Sequence, residues 1–244
     1  MKYFRFAALA LLAPCAALAN VTDDVEAVGG ALIPSLGLSI DVAGNSSLAN
    51  HTRGLSHSID VGFAYARAKT RQDRDAGDQP IIFGGTVFPG AAGDIDWTSN
   101  VQLFHLGYRP RYWFGNSNFA LEGLVGLGWA GMGVKGVSNT GLSASERLSN
   151  GGIVLGIGGI WRFAPSTALQ VRAISFGSGK EEGVTSAGRW ELTVTHAMAR
   201  NLNVRAGLGV LSARSTREDS DDNIRKSPVT AGGVGVTIGL DFVF

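Results

Sequence analysis

Val234-Gly235-Val236-Thr237-Ile238-Gly239-Leu240-Asp241-Phe242-Val243-Phe244 closes the chain and decides how the rest of it reads. Val234, Val236, Ile238, Leu240, Phe242 and Phe244 share one parity, and Gly235, Thr237, Gly239 and Asp241 lie between them. A period of two is the mark of a strand, because successive side chains point to opposite faces. One face of this strand is large and apolar, and the other is small, with a single carboxylate.

The same alternation recurs upstream. Leu32, Pro34, Leu36, Leu38, Ile40 and Val42 form one such series, and Ile59, Val61, Phe63 and Tyr65 form the next. Phe104, Leu106, Tyr108 and Tyr112 alternate with His105, Gly107, Arg109 and Arg111. Phe119, Leu121, Val125, Leu127 and Trp129 follow, then Ile153, Leu155, Ile157, Trp161 and Phe163. Leu169 and Val171, Trp190 to Val194, and Leu202 to Val210 continue the pattern. With 35 glycines in 244 residues, about twice the usual ~7%, the face opposite the apolar one is conspicuously small.

A soluble sandwich also alternates, but its polar face meets solvent. Three features point instead to a closed barrel with the apolar face outward. Glycine and small residues on the opposite face suit a narrow interior. Aromatics gather at strand ends: Tyr112-Trp113-Phe114, Trp161 with Phe163, Phe242 with Phe244, and Trp97 with Trp190. Such clusters match interfacial girdles. Connections also alternate between short (115–118, 164–167, 199–201) and long (69–96, 134–147, 177–187, 212–228), as expected of periplasmic turns and external loops.

Hydrophobic residues make up 45% of the chain and charged ones 17%. No mature stretch approaches the ~18 consecutive apolar residues of a membrane-spanning helix. A net charge of +1 gives no reason to expect nucleic acid as a partner. The one cysteine, Cys15, lies in the leader, so no internal disulfide or thiolate metal site is expected in the mature chain. That leader has a positive start at Lys2 and Arg5, an apolar run from Phe6 to Leu12, and Ala17-Leu18-Ala19 before Asn20. It reads as a signal peptide, residues 1–19, cleaved between Ala19 and Asn20. The rival is a lipid-attachment box at Leu12-Ala13-Pro14-Cys15, in which proline before the cysteine is atypical.

The leader, the alternating strands and the terminal run Gly239 to Phe244 together resemble the small outer-membrane barrels of Gram-negative bacteria. These are the porin-like group that includes OmpA-, OmpX- and OmpW-type proteins. The resemblance implies an all-β, closed antiparallel transmembrane barrel over residues 20–244, located in the outer membrane. It further implies lipid and lipopolysaccharide as surroundings, and a barrel-assembly machinery that reads Phe242 and Phe244. No motif assigns a subfamily. Bacterial barrels of this kind have even strand numbers, which leaves two solutions. Ten strands result if 32–42 and 55–67 form a hairpin and 80–88 adds another wall strand, and this count is favoured. Eight result if 69–96 is one external loop and 32–42 is a separate N-terminal segment.

Seven charged residues fall on the inward parity: Arg109, Arg111, Glu122, Arg162, Arg172, Arg205 and Asp241. They describe either an arginine-biased constriction that favours anions or an ion-pair network that fills a narrow interior, since buried charges need partners. Glu218, Asp219, Asp221 and Asp222 cluster in one loop without EF-hand spacing, beside Arg217, Arg225 and Lys226. Of the histidines, His196 faces outward, His105 inward, and His51 and His57 lie early in the chain. Asp94 and Asp96 superficially resemble the acidic loop residues of omptin-type proteases, but no matching His-Asp pair follows. No phosphate loop, metal cluster or nucleotide fingerprint is present, and neither cofactor nor metal is expected. The leading expectation is a non-enzymatic outer-membrane barrel, structural or surface-interacting, with a narrow or closed lumen. The alternatives are a small-solute channel and a membrane-embedded hydrolase of lipid A or protease type. Oligomeric state stays open.

Overall fold

The computed structural model describes residues 26–40, 54–78, 80–90, 93–115, 117–180, 182–216 and 229–243. Residues 1–25 with the expected leader and cleavage site, His51, the acidic residues at 218–222 and Phe244 lie outside the described residues.

Along the chain run β1 (Glu26–Ile40), β2 (Gly54–Gln72), β3 (Ile81–Phe83), β4 (Thr86–Phe88), β5 (Ile95–Trp113) and β6 (Phe119–Ser138). They are followed by β7 (Ser143–Ala164), β8 (Thr167–Gly177), β9 (Gly183–Ala199), β10 (Leu202–Thr216) and β11 (Val229–Val243). β2 and β5 to β11, eight strands, form one antiparallel meander that curls almost fully into a barrel. One seam is left between β2 and β11. The N-terminal β1 lies in it, antiparallel to β2 and parallel to β11.

The all-β barrel therefore stands, in its form of eight strands plus an N-terminal segment, and the favoured count of ten is corrected. Residues 80–88 add no wall strand. β3 and β4 are three residues each, far shorter than the 11 to 22 residues of the wall strands from β2 onward. They pair only with each other, in a separate two-stranded sheet. Their turn is Gly84-Gly85, with φ of 54° and 76°. Both values are positive, as a tight two-residue hairpin of matching twist requires and as side-chain-bearing residues resist.

The short turns fall where expected, after β5, β7 and β9. Two expected long loops are largely strand. β6 runs to Ser138 and β7 starts at Ser143, while β8 ends at Gly177 and β9 starts at Gly183. The wall thus rises well past its apolar portion at the end away from the short turns, here called the loop end.

Along each wall strand the apolar face changes sides at about the same height. Toward the short turns, large apolar residues point out. On β5 these are Phe104, Leu106, Tyr108 and Tyr112. Toward the loop end they point in, as Ile95, Trp97, Val101 and Leu103 do on the same strand. β6 switches between Trp129 and Ala130, and β10 between Val210 and Leu211. Trp97 and Trp113, expected in outer girdles, are consequently interior residues, 2% and 1% exposed. Both have the parity opposite to the outward residues of β5.

Candidate functional site in the barrel interior

Three layers fill the interior. At the loop end is an apolar core that includes Ile95, Trp97, Leu103, Met132, Val134 and Phe176. The β3–β4 hairpin joins this core from above. Phe83 meets Trp97 edge-on, with ring centroids 5.2 Å apart, and Phe88 lies 5.9 Å from the same ring. At the short-turn end Trp113, Ala120, Ile160 and Ala168 form a small apolar cluster.

Between them lies a charged layer. Arg109, Arg111, Arg172, Arg189 and Arg205 are buried with Asp60, Glu122, Glu191 and Asp241. Among the described residues, five guanidinium groups face four carboxylates, so one positive charge is in excess there. Strand register organises part of this layer into a row. Arg111 pairs with Glu122, Glu122 with Gly158, Gly158 with Arg172, Arg172 with Glu191, and Glu191 with Gly209. Glycine in the row is a requirement of the contact. A Cβ on Gly158 would sit 2.8 Å from Glu122 Cγ and Oε1, on the path by which Arg172 reaches Glu122.

Each carboxylate has several donors. Glu122 Oε1 accepts from Arg172 Nε at 2.9 Å and from Gln170 Nε2 at 2.6 Å, and its Oε2 accepts from Arg111 Nη2 at 3.3 Å. Asp60 Oδ2 lies 3.1 Å from Arg172 Nη1 and 3.0 Å from His105 Nε2, while its Oδ1 is 3.3 Å from Arg109 Nη1. Asp241 Oδ1 is shared by Arg109 and Arg205, each at 3.2 Å. Glu191 pairs with Arg189 and accepts from Thr237 Oγ1 at 2.7 Å. The Arg109–Asp241 bond joins β5 to β11, and Asp60–Arg172 spans from β2 to β8. The network therefore holds together strands on both sides of the seam that β1 occupies.

Six of the seven charges expected inside meet in this layer: Arg109, Arg111, Glu122, Arg172, Arg205 and Asp241. Arg162 does not. It is only half-buried, at the short-turn end, where its Nη2 donates to Asn118 Oδ1 at 3.2 Å. Parity aims it inward, but the wall ends there and its side chain reaches the rim. The residues not singled out in the sequence are Asp60, Arg189 and Glu191, together with the role of His105. All four carry the inward parity of their strands, and parity was the signal that could have found them. Phe242, expected as an assembly signal, is half-buried on the outward parity of β11.

The outer face is the inverse of this interior. Leu127 is 71% exposed and Ile157 66%, while Asp60 and Arg189 are 0%. Exposed aliphatic and aromatic residues run through β2, β5, β6, β7, β9, β10 and β11 as an apolar belt, and on β8 the outward Leu169 and Val171 are half-buried. At its short-turn edge Phe114 contacts both Tyr112 and Phe119, and Trp161 packs beside Phe163.

For chemistry, the layer offers a histidine on a carboxylate. Among the described residues, however, no serine, threonine or other hydroxyl is hydrogen-bonded to His105, and its Nδ1 has no partner. A nucleophile activated by a base needs that contact. What the layer can do is neutralise charge within the interior. No protein-family model matches this sequence, and no curated protein is significantly similar to it.

Proposed function

We propose that this chain is an exported, integral barrel of a Gram-negative outer membrane, non-enzymatic and with a closed interior, serving a structural or surface-interacting role. One observation carries the reading: among the described residues, large apolar side chains face outward on the wall strands while nine charged residues are buried inside. In water, exposing such a belt would be strongly unfavourable. In a bilayer, the belt is what the hydrocarbon requires. Its extent fits too. On β7 every outward position from Ile153 to Phe163 is apolar or glycine, and about 9–11 tilted residues cross the hydrocarbon. The aromatic edge at Tyr112, Phe114, Trp161 and Phe163 fits an interfacial girdle, and the short turns of this reading are periplasmic, as in barrels of that kind. Surrounding lipid and lipopolysaccharide, and an assembly machinery recognising the strand that ends at Phe242 and Phe244, are the partners this reading implies.

The closed interior is tested by planar-bilayer conductance of the purified barrel. The expected trace is flat, and discrete, reproducible steps would overturn the closed-lumen reading. The membrane reading is tested by fractionation and by heat-modifiable gel migration. A second reading, a narrow channel for small anions, draws on the one guanidinium in excess among the described residues. It also draws on Arg111 Nε, Arg172 Nη2, Arg189 Nη1 and Arg205 Nε, which have no hydrogen-bond partner among the described residues. The same recording decides it, through anion-selective steps.

A further inference from the structure

We infer that the outer wall of β2, β5, β6 and β7, just beyond the apolar belt at the loop end, binds a membrane lipid that carries more than one phosphate. This rests on the membrane reading and names one lipid site within it. Register builds the site from two rows. Arg67 pairs with Asn100, Asn100 with Gly133, and Gly133 with Arg147. One row further from the belt, Lys69 pairs with Thr98, Thr98 with Lys135, and Lys135 with Ser145. Arg67, Lys69, Lys135 and Arg147 are all exposed on the outer parity. None of the four is in an ion pair with another described residue.

Their spacing follows from sheet geometry. Neighbouring strands are ~4.8 Å apart and alternate residues ~6.6 Å, so the four cation-bearing positions span an area of about 7 by 14 Å. That is wider than one phosphate. Between the cations the wall is low. Asn100 lies flat over Gly133, and Gly131 is covered by the Trp129 ring. Thr98, Asn100 and Ser145 add neutral hydrogen-bonding groups.

The apolar side of the site is continuous with the belt. Directly below the cations the outward row reads Tyr65, Gln102, Gly131, Ser149, and the next reads Phe63, Phe104, Trp129, Gly151. A molecule with anionic groups at one end and acyl chains at the other matches that sequence of rows. Carboxylates nearby do not cancel the charge. Asp94 is bonded to Arg71, and Asp96 lies beside Arg71, one row further from the belt. On the outer face of β8 to β10, Ser175, Ser186 and Ser212 are neutral, and Arg214 is an exposed cation that lies outside the two rows of the site.

The test uses the full mature barrel and lipid A as the probe. Native mass spectrometry from detergent is expected to show bisphosphorylated lipid A binding at least about tenfold more tightly to the wild type than to R67Q/K69Q/K135Q/R147Q, as clustered cations at a membrane surface imply. R214Q should bind as the wild type does. Equal binding to the wild type and to a quadruple variant that still shows heat-modifiable migration would overturn the site. A second measurement needs no variant: the wild type should bind bisphosphorylated lipid A more tightly than dephosphorylated lipid A, and equal affinity would also overturn it. Vesicle flotation separates the two levels. A barrel that does not enter vesicles sinks the membrane reading and this site together. One that enters without phosphate dependence sinks this site alone.

Discussion

The loop end and the mid-height of the barrel interior are filled by opposite means. Toward the loop end the filling is Trp97, Phe83, Phe88, Ile95, Met132 and their neighbours. At mid-height it is arginine and carboxylate. The outer wall reverses the arrangement: Asp96, Thr98 and Lys135 flank the apolar core, and Leu121, Val125 and Leu127 flank the charged layer. At these two heights, then, the wall has one apolar and one polar face, and the faces exchange roles where Phe104 gives way to Leu103. The energetics differ accordingly. Apolar filling is non-directional and adapts to lost volume. A buried ion network is directional, and removing one partner leaves the others charged and desolvated.

The charged layer should therefore be the more brittle region, and E122A is the sharpest way to break the comparison. It strands Arg111 and takes the acceptor of Nε from Arg172, which keeps Asp60, and a loss of about 3–5 kcal/mol is expected, read from the urea midpoint of the refolded barrel. In the apolar half, F88A removes a fully buried ring from the Trp97 contact. The expected loss is about 3 kcal/mol by the same measurement, and a loss above that of E122A would reverse the ranking. G158A probes the room that the charged row needs. Its Cβ would collide with the Glu122 side chain, at a cost of about 1–3 kcal/mol from overpacking. Smallest is R162Q, for which under about 0.5 kcal/mol is expected, because that arginine is half-exposed at the rim. A large effect there would mean that Arg162 belongs to the charged layer after all.

The placement of Trp97 shows how far parity carries and where it was overridden. Counting by twos from Phe104 already aims Trp97 and Trp113 inward. The aromatic-girdle expectation put them outside because it assumed that large apolar residues always take the outer face. That holds only at the height of the belt. The same assumption hid the upper wall. Past Trp129 the outward residues of β6 become Gly131, Gly133 and Lys135, hydrophobic alternation fades, and 134–147 looked like a loop although backbone pairing continues to Ser138. Six of the seven expected interior charges were legible for the same reason that Asp60 and Glu191 could have been: each occupies an inward parity within a long strand. Arg162 failed because parity does not say where the wall ends.

By itself the sequence determined the strand class, the inward and outward parities, and the outward belt, because all three follow from a period of two within single segments. Only the tertiary structure decided which inward charges meet, since Asp60 and Arg172 are brought together by curling the sheet. It also decided that residues 80–88 fold in over the interior instead of joining the wall. Finally, it decided that β1 lies parallel to β11 in the seam, because strand partnership between the two ends of a chain depends on closure, which no local pattern encodes.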